Sequence, residues 1–249
     1  MTVNDIYSFL DERFPFSLAC DFDNAGLLLG DKNATVTKAV VCLDCTVSAV
    51  DKAIDLGAEL IISHHPVIFS GLKEVLSDSI VHRIIQNNIS VISAHTNLDS
   101  ACGGVNDTLA SILELENVES VTGDDGLIYR KGTLKNPLSP AALAKFVGEK
   151  LGIAVRYATG TRDIKTVAVC GGSGADFLYD TAAQGLDALV TADVKHHFFV
   201  DADRLGITLI DGGHFHTENV VINPLTALLQ KQFPDIIFTA DNTAPVKSI

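Results

Sequence analysis

Residues 39–63 and 167–191 of this chain carry the same pattern, 128 positions apart. Ala39-Val-Val-Cys42 aligns with Val167-Ala-Val-Cys170, Gly57 with Gly185, Leu60-Ile-Ile62 with Ala188-Leu-Val190, and Ser63 with Thr191, all without a gap. A further pair, Ile89-Ser-Val-Ile92 and Ile207-Thr-Leu-Ile210, matches at an offset of 118. One connection is therefore about ten residues shorter in the second copy. Identities are few, and any two β-α-β units share some apolar spacing. Three elements that keep their order and spacing favour duplication, so each copy should build the same supersecondary unit.

Each copy reads as strand, helix, strand, helix, strand. In the first, 39–43 is a β-rich run, 48–56 has helical spacing with Gly57 as its stop, and 60–62 is a near-continuous apolar strand. A helix at 79–87 and a strand at 89–93 complete it. The second copy gives strands at 166–170, 189–191 and 208–210, with helices at 175–184 and 197–204. Between the copies, 127–134 reads as a strand with basic edges, and Ser139-Pro140 caps a helix over 141–151. Strands alternating with helices imply an α/β protein, here two duplicated α/β halves with mostly parallel or mixed sheets flanked by helices. The boundary falls near residue 125, giving halves 1–125 and 126–249 without a flexible linker.

Potential metal-binding side chains collect where these strands end. Ser63-His64-His65-Pro66 follows the second strand of the first copy, and Asp211-Gly-Gly-His214-Phe-His216-Thr-Glu218 follows the third strand of the second. Adjacent strand residues point to opposite faces, so His64 and His65 converge only where the chain leaves the strand, and Pro66 enforces that exit. Imidazoles diverging from one turn suit two neighbouring metals. The plainer alternative is one histidine capping the strand and the other in solvent. Asp99, just after the third strand of the first copy, could bridge two cations, or serve as a helix cap or Asx turn. His95 nearby reads as a ligand-supporting or proton-transfer group. His214 and Glu218 share a face if a helix starts after Gly212-Gly213, and His216 points elsewhere. Mixed imidazole and carboxylate donors suit zinc, manganese, iron, cobalt or nickel, and few ligands for two ions leave positions open for reaction.

Other signals are weaker. Cys42-x-x-Cys45 has redox or zinc spacing, yet Cys42 lies inside a strand, which favours a buried apolar role. Gly171-Gly-Ser-Gly174 looks like a phosphate-binding turn but lacks the Lys-Ser/Thr of a P-loop. Lys195-His196-His197 echoes the first His pair but sits four residues past its strand, as a pocket-lining or ligand-supporting group. With 18 basic against 31 acidic residues, a formal charge of −13 argues against nucleic-acid and membrane partners. Five cysteines, an odd number within or beside apolar runs, fit reduced thiols in the cytoplasm, and neither a signal peptide nor a spanning apolar run is present.

Asp23-Asn24-x-Gly26-Leu27, Ser63-His64-His65-Pro66, His95-Thr-Asn-Leu-Asp99, Cys170-Gly-Gly-Ser-Gly174 and Gly213-His214-x-x-x-Glu218 occur in the order of one family. Across nearly its whole length the chain resembles the GTP cyclohydrolase 1 type 2 family, the Nif-three-like dinuclear-metal-centre proteins, in the short bacterial form without an inserted middle domain. The resemblance implies two intertwined α/β halves and a ring-shaped homohexamer, a trimer of dimers, with metal sites facing an internal cavity. Carried over by motif, the ligands of two divalent ions are His64, His65, Asp99, His214 and Glu218, the same five reached from chemistry.

The leading expectation is a metal-dependent hydrolase acting on a small molecule such as a nucleotide. Water activated by the metals would attack an electrophilic carbon such as C8 of a purine, releasing formate, with His95 as proton shuttle. The rival expectation is a non-catalytic metal-binding assembly that buffers or delivers metal or docks partners. A DHH-type phosphoesterase would need Asp directly before His-His, where Ser63 and Lys195 stand.

Overall fold

The computed structural model describes residues 1–123 and 126–247. Contacts divide the chain into two units, one of Met1–Ala101 with Val221–Lys247 and one of Cys102–Val220. The first unit holds α1 (Val3–Arg13), β1 (Gly26–Leu29), β2 (Lys38–Cys42), α2 (Val47–Leu56), β3 (Leu60–Ser63), α3 (Ile80–Gln86), β4 (Ser90–Ser93) and α4 (Thr96–Ser100). In the second are α5 (Val105–Ile112), β5 (Glu116–Thr122), β6 (Ile128–Leu138), α6 (Pro140–Leu151), β7 (Arg156–Ala158) and β8 (Ile164–Val169). It continues with α7 (Leu178–Ala183), β9 (Ala188–Thr191), α8 (His196–Leu205), β10 (Thr208–Asp211) and α9 (His214–Glu218). The chain then returns to the first unit as α10 (Ile222–Gln232) and β11 (Ile237–Asp241).

Among the described residues the first unit has a mixed sheet ordered β1-β4-β3-β2-β11, and the second a mixed sheet ordered β5-β6-β8-β9-β10-β7. The core of each is a parallel trio. Ala39 pairs with Leu60 and Val40 with Ile61 in the first, while Val167 pairs with Ala188 and Ala168 with Leu189 in the second, the same register displaced by 128. Ile61 opposite Val91 likewise corresponds to Leu189 opposite Leu209. In both sheets an antiparallel strand, β1 or β7, flanks the third parallel strand. The duplication is thus written in the backbone pairing.

β3, β4, β9 and β10 are buried at every position. That explains their unbroken apolar runs, since parallel strands are covered on both faces. Alternation assigns the faces. In the second sheet Val167, Val169, Val190 and Ile210 pack with Leu143 and Val147 of α6. Ala168, Leu189 and Leu209 face the other way, onto Leu178 and Phe198. Their counterparts Val40, Ile61 and Val91 pack with Ala49, Val50 and Ile84 in the first unit. Each such branched side chain contributes about 1.5–3 kcal/mol by leaving water.

Local signals set the helix ends. Thr46 caps α2 by accepting from Ala49 N at 3.1 Å, and Gly57 ends it at φ 64°. Ser139 accepts from Ala142 N at 3.3 Å with Pro140 in the first turn of α6. The helix expected at 175–184 opens as a 3-10 turn, Ala175–Phe177, and the strand expected at 127–134 runs on to Leu138.

Division by contact differs from the 1–125 and 126–249 halves read from sequence, and residues 124 and 125 lie outside the described residues. β5 pairs with β6, which places α5 and β5 in the second unit. β11 pairs in parallel with β2, which returns the C-terminal segment to the first. No helix of the described residues is long and apolar enough to cross a membrane.

Candidate metal centre

In the first unit the candidate residues lie past the carboxyl ends of β2, β3 and β4, the edge where open parallel sheets bind ligands. Pairing continues beyond the strands. His64 N donates to Cys42 O at 3.0 Å, His65 N to Leu43 O at 2.9 Å and Ala94 N to Ser63 O at 2.9 Å. His64 and His65 therefore leave the sheet with the backbone still held, and His64 is buried. The ring nitrogens of His64, His65 and His95 approach within 4.8 Å of one another. Asp99 sits within α4, and its Oδ1 is 3.4 Å from His64 Nε2. It is not the helix cap, since His95 occupies the cap position of α4.

Each of these imidazoles is gripped at Nδ1. His64 Nδ1–H donates to Ala94 O at 2.8 Å, His65 Nδ1–H to Asp44 Oδ1 at 2.6 Å and His95 Nδ1–H to Asp23 Oδ1 at 2.8 Å. A proton fixed on Nδ1 leaves Nε2 as the lone-pair nitrogen, the arrangement that orients metal-binding histidines. Asp23 is held further, its Oδ2 accepting from Thr96 N at 3.0 Å and Thr96 Oγ1 at 2.5 Å. Burial pushes its carboxyl up, but the His95 and Thr96 hydrogen bonds outweigh it and hold Asp23 at about 2. Asn24 Nδ2 ties down the neighbouring loop through Ile68 O at 2.6 Å, and the Phe69 ring lies 6.2 Å from that of His95. A cavity of about 360 Å³ opens beside His65, walled by Asp44, Cys45, Thr46, Pro66 and Val67.

The second unit builds its cluster at the ends of β8, β9 and β10. Gly213, at φ 75°, turns the chain out of β10 so that His214 is the first and Glu218 the last residue of α9. His214 Nε2 is 2.9 Å from Glu218 Oε2, and His214 Nδ1 donates to Asp193 Oδ2 at 2.6 Å. The Glu218 hydrogen bond raises His214 to about 9; burial opposes this, and the charges of Glu218 and Asp193 add to it. Asp211 steadies the turn by accepting from Gly213 N at 3.1 Å and pairing with Arg156 Nη2 at 2.5 Å. His216 has its pKa lowered by burial. His196 and His197 are exposed at the start of α8, where the His197 ring lies tilted against Phe198 with centroids 4.3 Å apart.

The remaining motifs find other employment. Three amides of the glycine-rich turn are spent inside the protein. Gly171 N donates to Asn106 Oδ1 at 2.8 Å, Gly172 N to Thr217 Oγ1 at 3.0 Å and Gly174 N to Thr191 Oγ1 at 2.9 Å. This turn is not a phosphate cradle. Cys42 is buried in the core of the first unit, its thiol pushed up by the Cys45 hydrogen bond and by burial, and the described cysteines form no disulfide.

Tested against a divalent ion, the donors fit. Imidazole Nε2 atoms oriented through Nδ1, beside Asp99 in one unit and Glu218 in the other, are the mixed nitrogen and oxygen set that such ions take. A profile of the Duf34/NIF3 (NGG1p interacting factor 3) family matches residues 1–245. The chain belongs to the Duf34/NIF3 family. Among curated Duf34/NIF3 relatives, the GTP cyclohydrolase 1 type 2 homolog of Clostridium perfringens is 35% identical over 88% of this chain and 87% of its own length. Its counterpart in Campylobacter jejuni is 34% identical over 88% of each. The crystal structure of a Staphylococcus aureus hypothetical protein matches with a TM-score of 0.93 at 31% identity, covering 100% of this chain and 99% of that one.

The orienting carboxylates Asp23, Asp44 and Asp193 were not legible as such from sequence. Asp23 and Asn24 entered the Duf34/NIF3 resemblance only as a motif. Asp193 had one signal, since it falls on His65 at the 128-residue offset.

Proposed function

We propose that this chain is a metal-dependent hydrolase that opens a purine-type ring with one water, leaving a formamide, and releases formate from it with a second. His64, His65, Asp99, His214 and Glu218 hold two divalent ions. The observation that carries this reading is the common grip on the imidazoles: His64, His65, His95 and His214 are each fixed at Nδ1 by an acceptor. Building such supports for solvated histidines would serve no purpose, whereas metal binding and proton transfer require them. The name of the curated relatives, GTP cyclohydrolase 1 type 2 homolog, makes GTP the first substrate to test. Zinc, manganese, iron, cobalt or nickel all suit the donors.

When bound, such ions lower the pKa of water and polarise the electrophile. The chain's own residues do the rest. Asp44, Asp193 and the Ala94 carbonyl hold the imidazoles in register. Asp23 fixes His95 so that Nε2 takes a proton from the attacking water and returns it to the leaving nitrogen. The cavity beside His65 receives the ring. We further propose that the active form is a ring-shaped homohexamer, a trimer of dimers, which analytical ultracentrifugation would measure directly.

The deciding experiment loads purified protein with manganese, zinc or iron and measures formate released from GTP. Turnover that His64→Ala abolishes is expected. Metal-replete protein that releases no formate, and on which His64→Ala has no effect, would overturn the catalytic reading. Tight metal uptake without turnover of a broad metabolite panel would support the non-catalytic metal-handling alternative.

A further inference from the structure

The turn Gly171-Gly-Ser-Gly174 is packed against α9. Gly172 stands at φ 62°, and a Cβ placed on it would lie 2.1 Å from Glu218 Oε1, 3.0 Å from the Glu218 carboxyl carbon and 3.4 Å from His214 Cε1. The first of these distances is far inside van der Waals contact. The carboxylate of Glu218 therefore occupies the space that any other residue at 172 would fill. Its second oxygen, Oε2, is 2.9 Å from His214 Nε2, so Glu218 lies between the bare backbone of Gly172 and the His214 ring.

The turn cannot give way easily. A Cβ on Gly171 would come within 2.7 Å of Val105 Cγ1, and one on Gly174 within 2.6 Å of Cys170 Sγ. Asn106, buried on α5, accepts from Gly171 N at 2.8 Å and donates to Ile128 O at 3.0 Å. Thr217 accepts the Gly172 amide at 3.0 Å while donating back to Gly213 O at 3.1 Å, which binds the turn to the helix that carries Glu218.

We infer that Gly172 is the positioning residue for Glu218: its missing side chain sets where the carboxylate stands for metal binding. This rests on the proposed metal-binding role of Glu218. It gives the glycine-rich motif a steric task in place of anion binding. Glu218 enters a preformed slot whose floor is the backbone of Gly172 and whose wall is His214.

Gly185 supplies the control. It has nearly the same φ, 68°, but no atom lies within 4 Å of the place its Cβ would take. Gly185→Ala therefore carries the backbone strain without the collision. Manganese affinity and the melting point of chelator-treated protein are measured for Gly172→Ala, Gly185→Ala and the double variant Gly172→Ala/Glu218→Asp. Expected is manganese binding at least tenfold weaker in Gly172→Ala than in Gly185→Ala, with a lower melting point. The shorter carboxylate of the double variant should bind tighter than Gly172→Ala alone, because it clears the new methyl group. Gly172→Ala matching Gly185→Ala in both measurements would overturn the inference. If Gly172→Ala does not fold, Thr217→Val frees the turn from α9 at nearly constant volume. It should bind manganese more weakly, and wild-type affinity there would overturn the inference. Wild-type protein that takes up no manganese sinks the functional reading instead, while the melting comparison still decides the role of Gly172.

Discussion

His65 and Asp193 occupy the same position in the two copies of the duplicated unit, two residues beyond the ends of β3 and β9. One presents an imidazole held by Asp44, and the other presents a carboxylate that holds the imidazole of His214. The duplicated backbone thus offers one exit point from a parallel strand, filled once by a donor and once by its support. The short helices α4 and α9 are likewise equivalent at the offset of 118, and they carry Asp99 in one copy and His214 with Glu218 in the other.

Asp44→Asn and Asp193→Asn should each weaken metal binding about 10- to 100-fold, the usual cost of removing a carboxylate behind a ligating histidine. Both carboxylates are partly exposed, so folding stability should change little. Competition with a chromophoric chelator measures the affinity, and unchanged values would disconnect these carboxylates from metal binding.

Metal-free protein should carry His214 protonated at neutral pH, because Glu218 and then Asp193 raise it to about 9. Metal at Nε2 must displace that proton. Affinity should rise about tenfold per pH unit between roughly 7 and 9, with about one proton released per site. Calorimetry in buffers of different ionisation enthalpy counts the protons. The folding contribution runs the other way. In metal-free protein it is full below the ordinary value of 6.5 and is lost as pH rises through 9.

Asp23→Asn should cost about 2 kcal/mol or more at pH 7, since a fully buried charged acceptor of four hydrogen bonds is lost. Asp23 is depressed from 3.8 to about 2, so its contribution is complete above 3.8 and disappears as pH falls through 2. The gap between wild type and variant in denaturant titrations should therefore narrow below about pH 4. If His95 moves the proton, turnover of metal-loaded enzyme falls as well. Unchanged turnover would remove His95 from the mechanism.

Glu59 and Asp187 are a second matched pair at the 128-residue offset. Glu59 accepts from Thr37 N and Lys38 N, both at 3.0 Å, and Asp187 accepts from Lys165 N at 2.9 Å and Thr166 N at 2.8 Å. Each seals the start of the first parallel strand. Burial raises both carboxyls, but these hydrogen bonds outweigh it and lower them from 4.5 and 3.8. Asp187→Asn and Glu59→Gln should each cost about 1–3 kcal/mol at pH 7. The loss should shrink as pH falls below about 4, where wild type surrenders the same charge. Urea titrations at the two pH values test the sign.

The parallel trios were legible because strands buried on both faces leave unbroken apolar runs, and the clusters at 63–66 and 211–218 because those runs end in histidines. Asp44 was hidden. Its contact with His65 spans 21 residues and depends on strand register, which no local spacing encodes. Three glycines in a row of four suggested anion binding by composition alone. Only the side-chain acceptors Asn106, Thr217 and Thr191, remote in sequence, show that their amides are already taken. The run at 237–241 went unassigned because it lies outside the repeat, although it is as β-rich as the strand it joins.

β11 reaches its place beside β2 only after the whole of the second unit has been made, and Lys52 Nζ then clasps it through Ala240 O at 2.8 Å and Asp241 Oδ1 at 3.1 Å. On the ribosome the inserted unit can fold while its host sheet still lacks a strand. Until β11 arrives, one edge of β2 offers unpaired amides and carbonyls to any passing chain. A chain halted before 237–241 is therefore expected to keep that edge open and to aggregate more readily than the finished one.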